Sequence, residues 1–158
     1  MWCDMEESMF YYVIPESDTE IYERLSELDR LCVGADGWSA ESFRSEAEKE
    51  NGIVMCCSSS GRMAGLICGY FAGGEADITS VAVHPDYRRK HIAECLMQIF
   101  ELQIPDDTEE IFLEVRESNT PAIKLYEKCG FEKLSVRKNF YASRKNLLTE
   151  KIFCVSEK

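Results

Sequence analysis

The sequence predicts a mixed α/β domain: a mostly antiparallel sheet with a central parallel pair and helices on both faces. Three observations predict it. Apolar residues alternate at strand spacing in seven short runs and recur at helical spacing in four others. A strand–helix–strand run over residues 77–116 calls for a crossover, which makes its two strands parallel neighbours. The remaining strands follow one another through short Gly-, Ser- or Pro-marked turns, the mark of antiparallel pairing. At 158 residues and 45% hydrophobic content the chain suits one domain, residues 1–158, with one core.

In order, residues 9–14 read as a strand before Pro15, and Ser17 or Asp18 caps a helix to about Leu31 with Ile21, Leu25 and Leu28 on one face. Residues 34–37, with a glycine at each end, break it, and Ser39 starts a second helix to about Glu50. Residues 53–58 and 63–71 form a hairpin around Ser59-Ser60-Gly61, ended by Gly73-Gly74. Residues 77–83 form the next strand, stopped by Pro85. Ile92, Cys95, Leu96, Ile99 and Leu102 then place a helix over 89–103. A strand over 110–116 precedes a helix capped by Thr120 with Pro121 at its first position, and Gly130 stops that helix. Residues 131–140 and 148–155 close the chain as two antiparallel strands.

Composition narrows the function. A net charge of -11 argues against nucleic acid as partner and favours cationic ones, although solubility alone accounts for it equally well. The eight cysteines contain no C-x-x-C pair and sit mostly in apolar runs, as buried thiols do in a reducing cytoplasm. The two histidines, His84 and His91, have no metal-ligand spacing, so no metal is expected. The first residues are acidic, unlike a signal peptide, and the longest apolar stretch, over 63–72, is too short for a bilayer span, so no membrane association is expected.

Two segments carry chemistry. In Val81-Ala82-Val83-His84-Pro85-Asp86-Tyr87-Arg88-Arg89-Lys90-His91-Ile92-Ala93, a strand ends, a basic turn follows and a helix begins. Free N–H groups and the dipole at that helix start make an anion site suited to a pyrophosphate; a solvated basic turn is the alternative. In the second segment Glu114 stands mid-strand between Leu113 and Val115. Partial burial would raise its pKa and make it a better base near neutral pH; an ion pair with Arg116 or another cation on an open sheet face is the competing account.

The first segment resembles the acetyl-CoA-binding motif of the GNAT acetyltransferases, Arg/Gln-x-x-Gly-x-Gly/Ala, with Arg88 and Ala93 at the outer positions and His91 at the central glycine. The run Leu113-Glu114-Val115-Arg116, then Ser118-Asn119, then Ala122-Ile123 and Leu125-Tyr126-Glu127 up to Gly130-Phe131 is similar to the ribosomal-protein-alanine N-acetyltransferase (RimI-type) branch. The likeness runs from about Trp38 to Tyr141. It implies a GNAT fold and transfer of acetyl from acetyl-CoA to a primary amine, with a protein N-terminal α-amine, such as that of a basic ribosomal protein, as acceptor.

The resemblance further implies Glu114 as general base and Tyr126 as general acid. It implies acetyl-CoA contacts from Val81, Ala82, Val83, Arg88, Arg89, Lys90, His91, Ile92, Ala93, Glu94 and Asn119, and acceptor contacts from Trp38 and Tyr141. Each has a plainer alternative: Tyr126 as a core aromatic, Asn119 as a helix-start residue bonding backbone donors, Trp38 and Tyr141 as aromatics pinning loops. Replacing His91 by glycine is expected to leave acetyl-CoA affinity unchanged or improved. Two other functions compete: acetylation of a small amine or lysine side chain, and a GNAT-fold acyl-CoA-binding module without catalysis.

Overall fold

The computed structural model describes residues 9–15, 17–137 and 151–157. Their order is β1 (Met9–Val13), α1 (Thr19–Val33), α2 (Ala40–Glu48), β2 (Gly52–Ser59), β3 (Arg62–Ala72), β4 (Glu75–Val83), α3 (Ile92–Gln103), β5 (Glu110–Arg116), α4 (Thr120–Lys128), β6 (Glu132–Arg137) and β7 (Lys151–Glu157). Short 3₁₀ turns at Gly34–Asp36 and Pro85–Tyr87 precede α2 and α3.

The strands form one seven-stranded sheet in the order β1-β2-β3-β4-β5-β7-β6. Only β4 and β5 pair in parallel, as the crossover through α3 requires; the other neighbours are antiparallel. The last two strands pair as expected, but β7 lies inside, between β5 and β6, so the chain's final strand completes β5.

Alternation along β2 divides the core between the two faces. Ile53, Met55 and Cys57 join α3 and α4 on one side; Val54 and Cys56 join α1 and α2 on the other. Helix α3 lies directly on β3 because Gly65 and Gly69 leave room: a Cβ at Gly65 would stand 2.9 Å from Ile92 Cγ2, and one at Gly69 2.8 Å from Phe100 Cζ.

Three expectations change in detail. Helix α3 begins at Ile92, and its buried residues are Ile92, Leu96, Met97 and Phe100; Leu102, placed on that face by its spacing, is 80% exposed. The sheet-facing stripe passes through Met97 and Phe100, the latter seated against Gly69 of β3. Helix α4 is capped by Asn119 instead of Thr120, because the Asn119 side-chain Oδ1 accepts from the Ala122 N–H at 3.3 Å. Helix α2 ends at Glu48, two residues early.

Candidate active site

The parallel ladder between β4 and β5 is short. It runs from Glu75↔Glu110 to Ile78↔Leu113 and stops, so residues 79–83 and 114–116 continue without pairing to one another. A gap between the C-terminal ends of parallel strands is where open α/β sheets bind ligands. The antiparallel register of β3 with β4 steps from Gly69↔Ile78 to Cys68↔Ser80, leaving Thr79 as a bulge. That extra residue turns two consecutive hydroxyls toward α1 and α2. Thr79 Oγ1 lies 3.4 Å from Glu46 Oε1, and Ser80 Oγ donates to Asp29 Oδ1 at 3.3 Å. Beyond the bulge, Val81 and Val83 pack toward the α3 side and Ala82 toward the α1 side. The Val83 carbonyl accepts from Cys32 Sγ at 3.3 Å and Arg88 Nε at 3.4 Å, so Arg88 folds back on its own strand.

The turn that follows is built from unusual backbone. Arg89 and His91 both have left-handed φ values, 62° and 59°. His91, the residue at the motif's central glycine, is therefore in a conformation that glycine adopts without strain and that histidine tolerates better than most residues. Among the described residues no side chain caps α3, and the Cys95 N–H donates to the His91 carbonyl at 3.1 Å to open the helix. The N–H groups of Ile92, Ala93 and Glu94 precede that bond, in the arrangement an anion needs. Arg88, Arg89 and Lys90 are exposed around them. Lys90 Nζ sits 5.2 Å from the ring centre of buried Tyr87.

Glu94 faces this turn with two partners at one oxygen. Lys128 Nζ donates to Oε1 at 2.8 Å, and His91 Nδ1 lies 3.2 Å from it. The Lys128 ammonium first, then the His91 ring, hold the Glu94 carboxyl below the usual carboxylate range.

Glu114 and Tyr126 lie on opposite faces of the sheet. Leu113 and Val115 belong to the core under α3 and α4, together with Tyr126, so Glu114 between them points to the α1 and α2 side. Of the two accounts of Glu114, its exposure agrees with the open sheet face: the alternation that buries its neighbours turns its side chain outward. Arg116, its suggested partner, instead bonds Asp36 in the loop after α1, at 3.0 Å. Burial acts on the carboxyl of Asp77 on β4. Desolvation pushes it above its ordinary range, a hydrogen bond with Tyr70 pulls the other way, and the carboxylates of Glu75, Glu114 and Glu46 push it further up.

Tyr126 is buried and meets Phe131 edge-on, ring centres 6.0 Å apart, so it is a core aromatic. Asn119 caps α4, the plainer of its two readings. Trp38 is half-buried beside Phe43, ring centres 5.3 Å apart, and α1 fixes its backbone from both ends. Its N–H donates to Asp29 Oδ2 at 2.6 Å, and its carbonyl accepts from Ser26 Oγ at 2.7 Å. Tyr141 lies outside the described residues.

Ser26, Asp29, Tyr70, Asp77 and Lys128 were not singled out from the sequence. For Ser26 and Asp29 a signal was present: they fall on the same helix face as Tyr22 and Leu25, where polar residues are buried only with partners. Among the described residues no cluster of His, Cys, Asp or Glu is arranged to hold a metal ion, and six cysteines are free thiols.

The sequence profile described as Acetyltransferase (GNAT) family matches residues 10–131. The chain is 32% identical over 109 residues to the [ribosomal protein bS18]-alanine N-acetyltransferase of Escherichia coli K12, covering 66% of this chain and 70% of that protein. It is 49% identical over 67 residues to an N-alpha-acetyltransferase of Saccharolobus solfataricus. That second match spans 41% of this chain and only 40% of the archaeal protein's length. The fold superimposes on the crystal structure of the ribosomal-protein-S18-alanine N-acetyltransferase from Escherichia coli with a TM-score of 0.80 and 24% identity, covering 95% of this chain and 94% of the other.

Proposed function

The chain belongs to the acetyltransferase (GNAT) family, and from that premise we propose that residues 1–158 act as one domain that transfers acetyl from acetyl-CoA to the N-terminal α-amine of a basic protein. The observation that carries this reading is the gap between β4 and β5 with an exposed carboxylate, Glu114, on one side of the sheet and a tyrosine, Tyr126, in the core on the other. An amine acceptor and an acyl donor entering from opposite faces would each meet the group its chemistry needs.

Acetyl-CoA supplies an activated thioester, and the turn of residues 88–94 suits its pyrophosphate through the N–H groups at the start of α3. The backbone N–H groups of Val81 and Val83, beyond the bulge, orient and polarise the carbonyl. Glu114 takes the proton that the attacking nitrogen loses, directly or through a water. Tyr126 gives its hydroxyl proton to the departing sulfur. An α-amine with a pKa of about 8 releases its proton more readily than a lysine near about 10.4, so a carboxylate base suffices. Two substrates held in line account for much of the rate. Asp77, Glu46 and Glu114 together make the acceptor side acidic, which suits a cationic N-terminus.

The test compares peptides with a free N-terminal Ala or Ser against the same peptides blocked at the N-terminus and carrying one lysine, with free polyamines alongside. Faster acetylation of the free N-termini is expected. Preference for the blocked lysine peptides or polyamines would reassign the acceptor, and acetyl-CoA binding without any transfer would make the chain a binding module.

A further inference from the structure

We propose that the Glu94–Lys128 ion pair tunes the donor site: the Glu94 carboxylate holds acyl-CoA affinity below its maximum, and Lys128 limits that penalty. The inference rests on reading residues 88–94 as the site of the donor's phosphates.

Glu94 is the third residue of α3, in the turn whose N–H groups precede the first helical bond. It is the one acidic side chain in residues 88–94, a run otherwise carrying Arg88, Arg89 and Lys90. A carboxylate in a first turn stabilises the empty helix through the dipole. The same charge opposes an incoming phosphate, which needs the same N–H groups. Lys128, in the last turn of α4, reaches across to Glu94 Oε1 at 2.8 Å. The pair thus ties the start of the anion-binding helix to the end of the helix that carries Tyr126. The Lys128 and His91 side chains are well exposed, 61% and 69%, so either can swing toward an anion once Glu94 is neutral. A site held below full affinity also lets the CoA product leave sooner, since changes in affinity appear mostly in the off-rate.

This arrangement fixes the sign of two substitutions. Glu94→Gln removes the repulsion and frees Lys128, so acetyl-CoA should bind about threefold to tenfold tighter at low salt. Lys128→Met leaves the carboxylate without its ammonium, so binding should weaken by about threefold. The double variant should bind more tightly than Lys128→Met alone. A screening length of about 3 Å in roughly 1 M salt should erase most of these differences. A purely structural ion pair predicts otherwise: both single variants would melt earlier and bind more weakly, whatever the salt.

The experiment is a calorimetric titration of acetyl-CoA into wild type and the three variants at low and high salt, with a thermal melt of each. Tighter binding by Glu94→Gln that fades in high salt supports the proposal. Equal or weaker binding by Glu94→Gln overturns it while leaving the donor site itself intact. A wild-type chain that binds no acetyl-CoA overturns both. Glu94→Gln exchanges isosteric groups on a surface helix, so it decides the question even if Lys128→Met fails to fold.

Discussion

Glu114 is exposed between two buried neighbours, and the base role proposed for it rests on its position beside the β4–β5 gap. Glu114→Gln is expected to lower kcat by about 10²-fold near neutral pH with acetyl-CoA affinity unchanged, measured by steady-state kinetics and titration. Undiminished turnover would remove Glu114 from the mechanism. Asp77 is the converse case, a carboxyl that burial pushes up from its ordinary 3.8. Its neutral form is favoured in the folded state. The stability this contributes is therefore fully present below pH 3.8 and is lost as pH rises through the folded-state value. Asp77→Asn, which keeps an acceptor for Tyr70, is expected to raise Tm at pH 7 and to leave it nearly unchanged near about pH 3. Melting curves at the two pH values check it; equal shifts at both would mean that ionisation is irrelevant.

Among the elements, α3 does most to shape the proposed donor side, and its seat on β3 depends on two glycines. At Gly69 an added methyl would press on Phe100 Cζ and on the Asp77 carbonyl oxygen, one a packed ring and the other backbone. Gly69→Ala is therefore expected to cost about 1–3 kcal/mol by denaturant unfolding. It should also raise the KM for acetyl-CoA, because relief of the clash at Phe100 moves α3 as a unit relative to β4. A stable variant with unchanged KM would show that the sheet yields instead. Helix α1 plays the matching part on the proposed acceptor side, where buried Ser26 and Asp29 fix the Trp38 backbone and Asp29 also reaches Ser80 on β4.

Over the whole molecule, the net charge of -11 and the carboxylates around the β4–β5 gap point the same way. Long-range attraction should draw in basic acceptors and should weaken as salt screens it, with a Debye length falling from about 30 Å at 0.01 M to about 8 Å at 0.15 M. The KM for a Lys- and Arg-rich peptide acceptor is expected to rise several-fold over that range, roughly tenfold at most, with kcat little changed. A neutral peptide with the same first residues should show almost no change. Equal salt dependence for both peptides would place the effect in the donor site.

By itself the sequence determined the element order, the single parallel pair, the two helical layers and family membership. Each depends on short-range patterns: period-2 and period-3.6 burial, turn residues, and the ordered motif from Leu113 to Phe131. Alternation made Glu114 the odd residue of its strand and left a buried or an open face as alternatives; the packed sheet decides for the open one. Helical spacing put Leu102 on the α3 stripe, but which edge of that apolar face meets the sheet is set by packing: Gly65 seats Ile92 and Leu96 on β3, Gly69 seats Phe100, and Leu102 is left outside. The tertiary structure alone decided the insertion of β7 beside β5, the Thr79 bulge, the early end of the β4–β5 ladder, and the meeting of Glu94 with Lys128 across 34 residues. These join segments far apart in the chain, where sequence spacing carries no distance information and the outcome is set by which packing buries the most apolar surface while leaving the fewest polar groups unpaired.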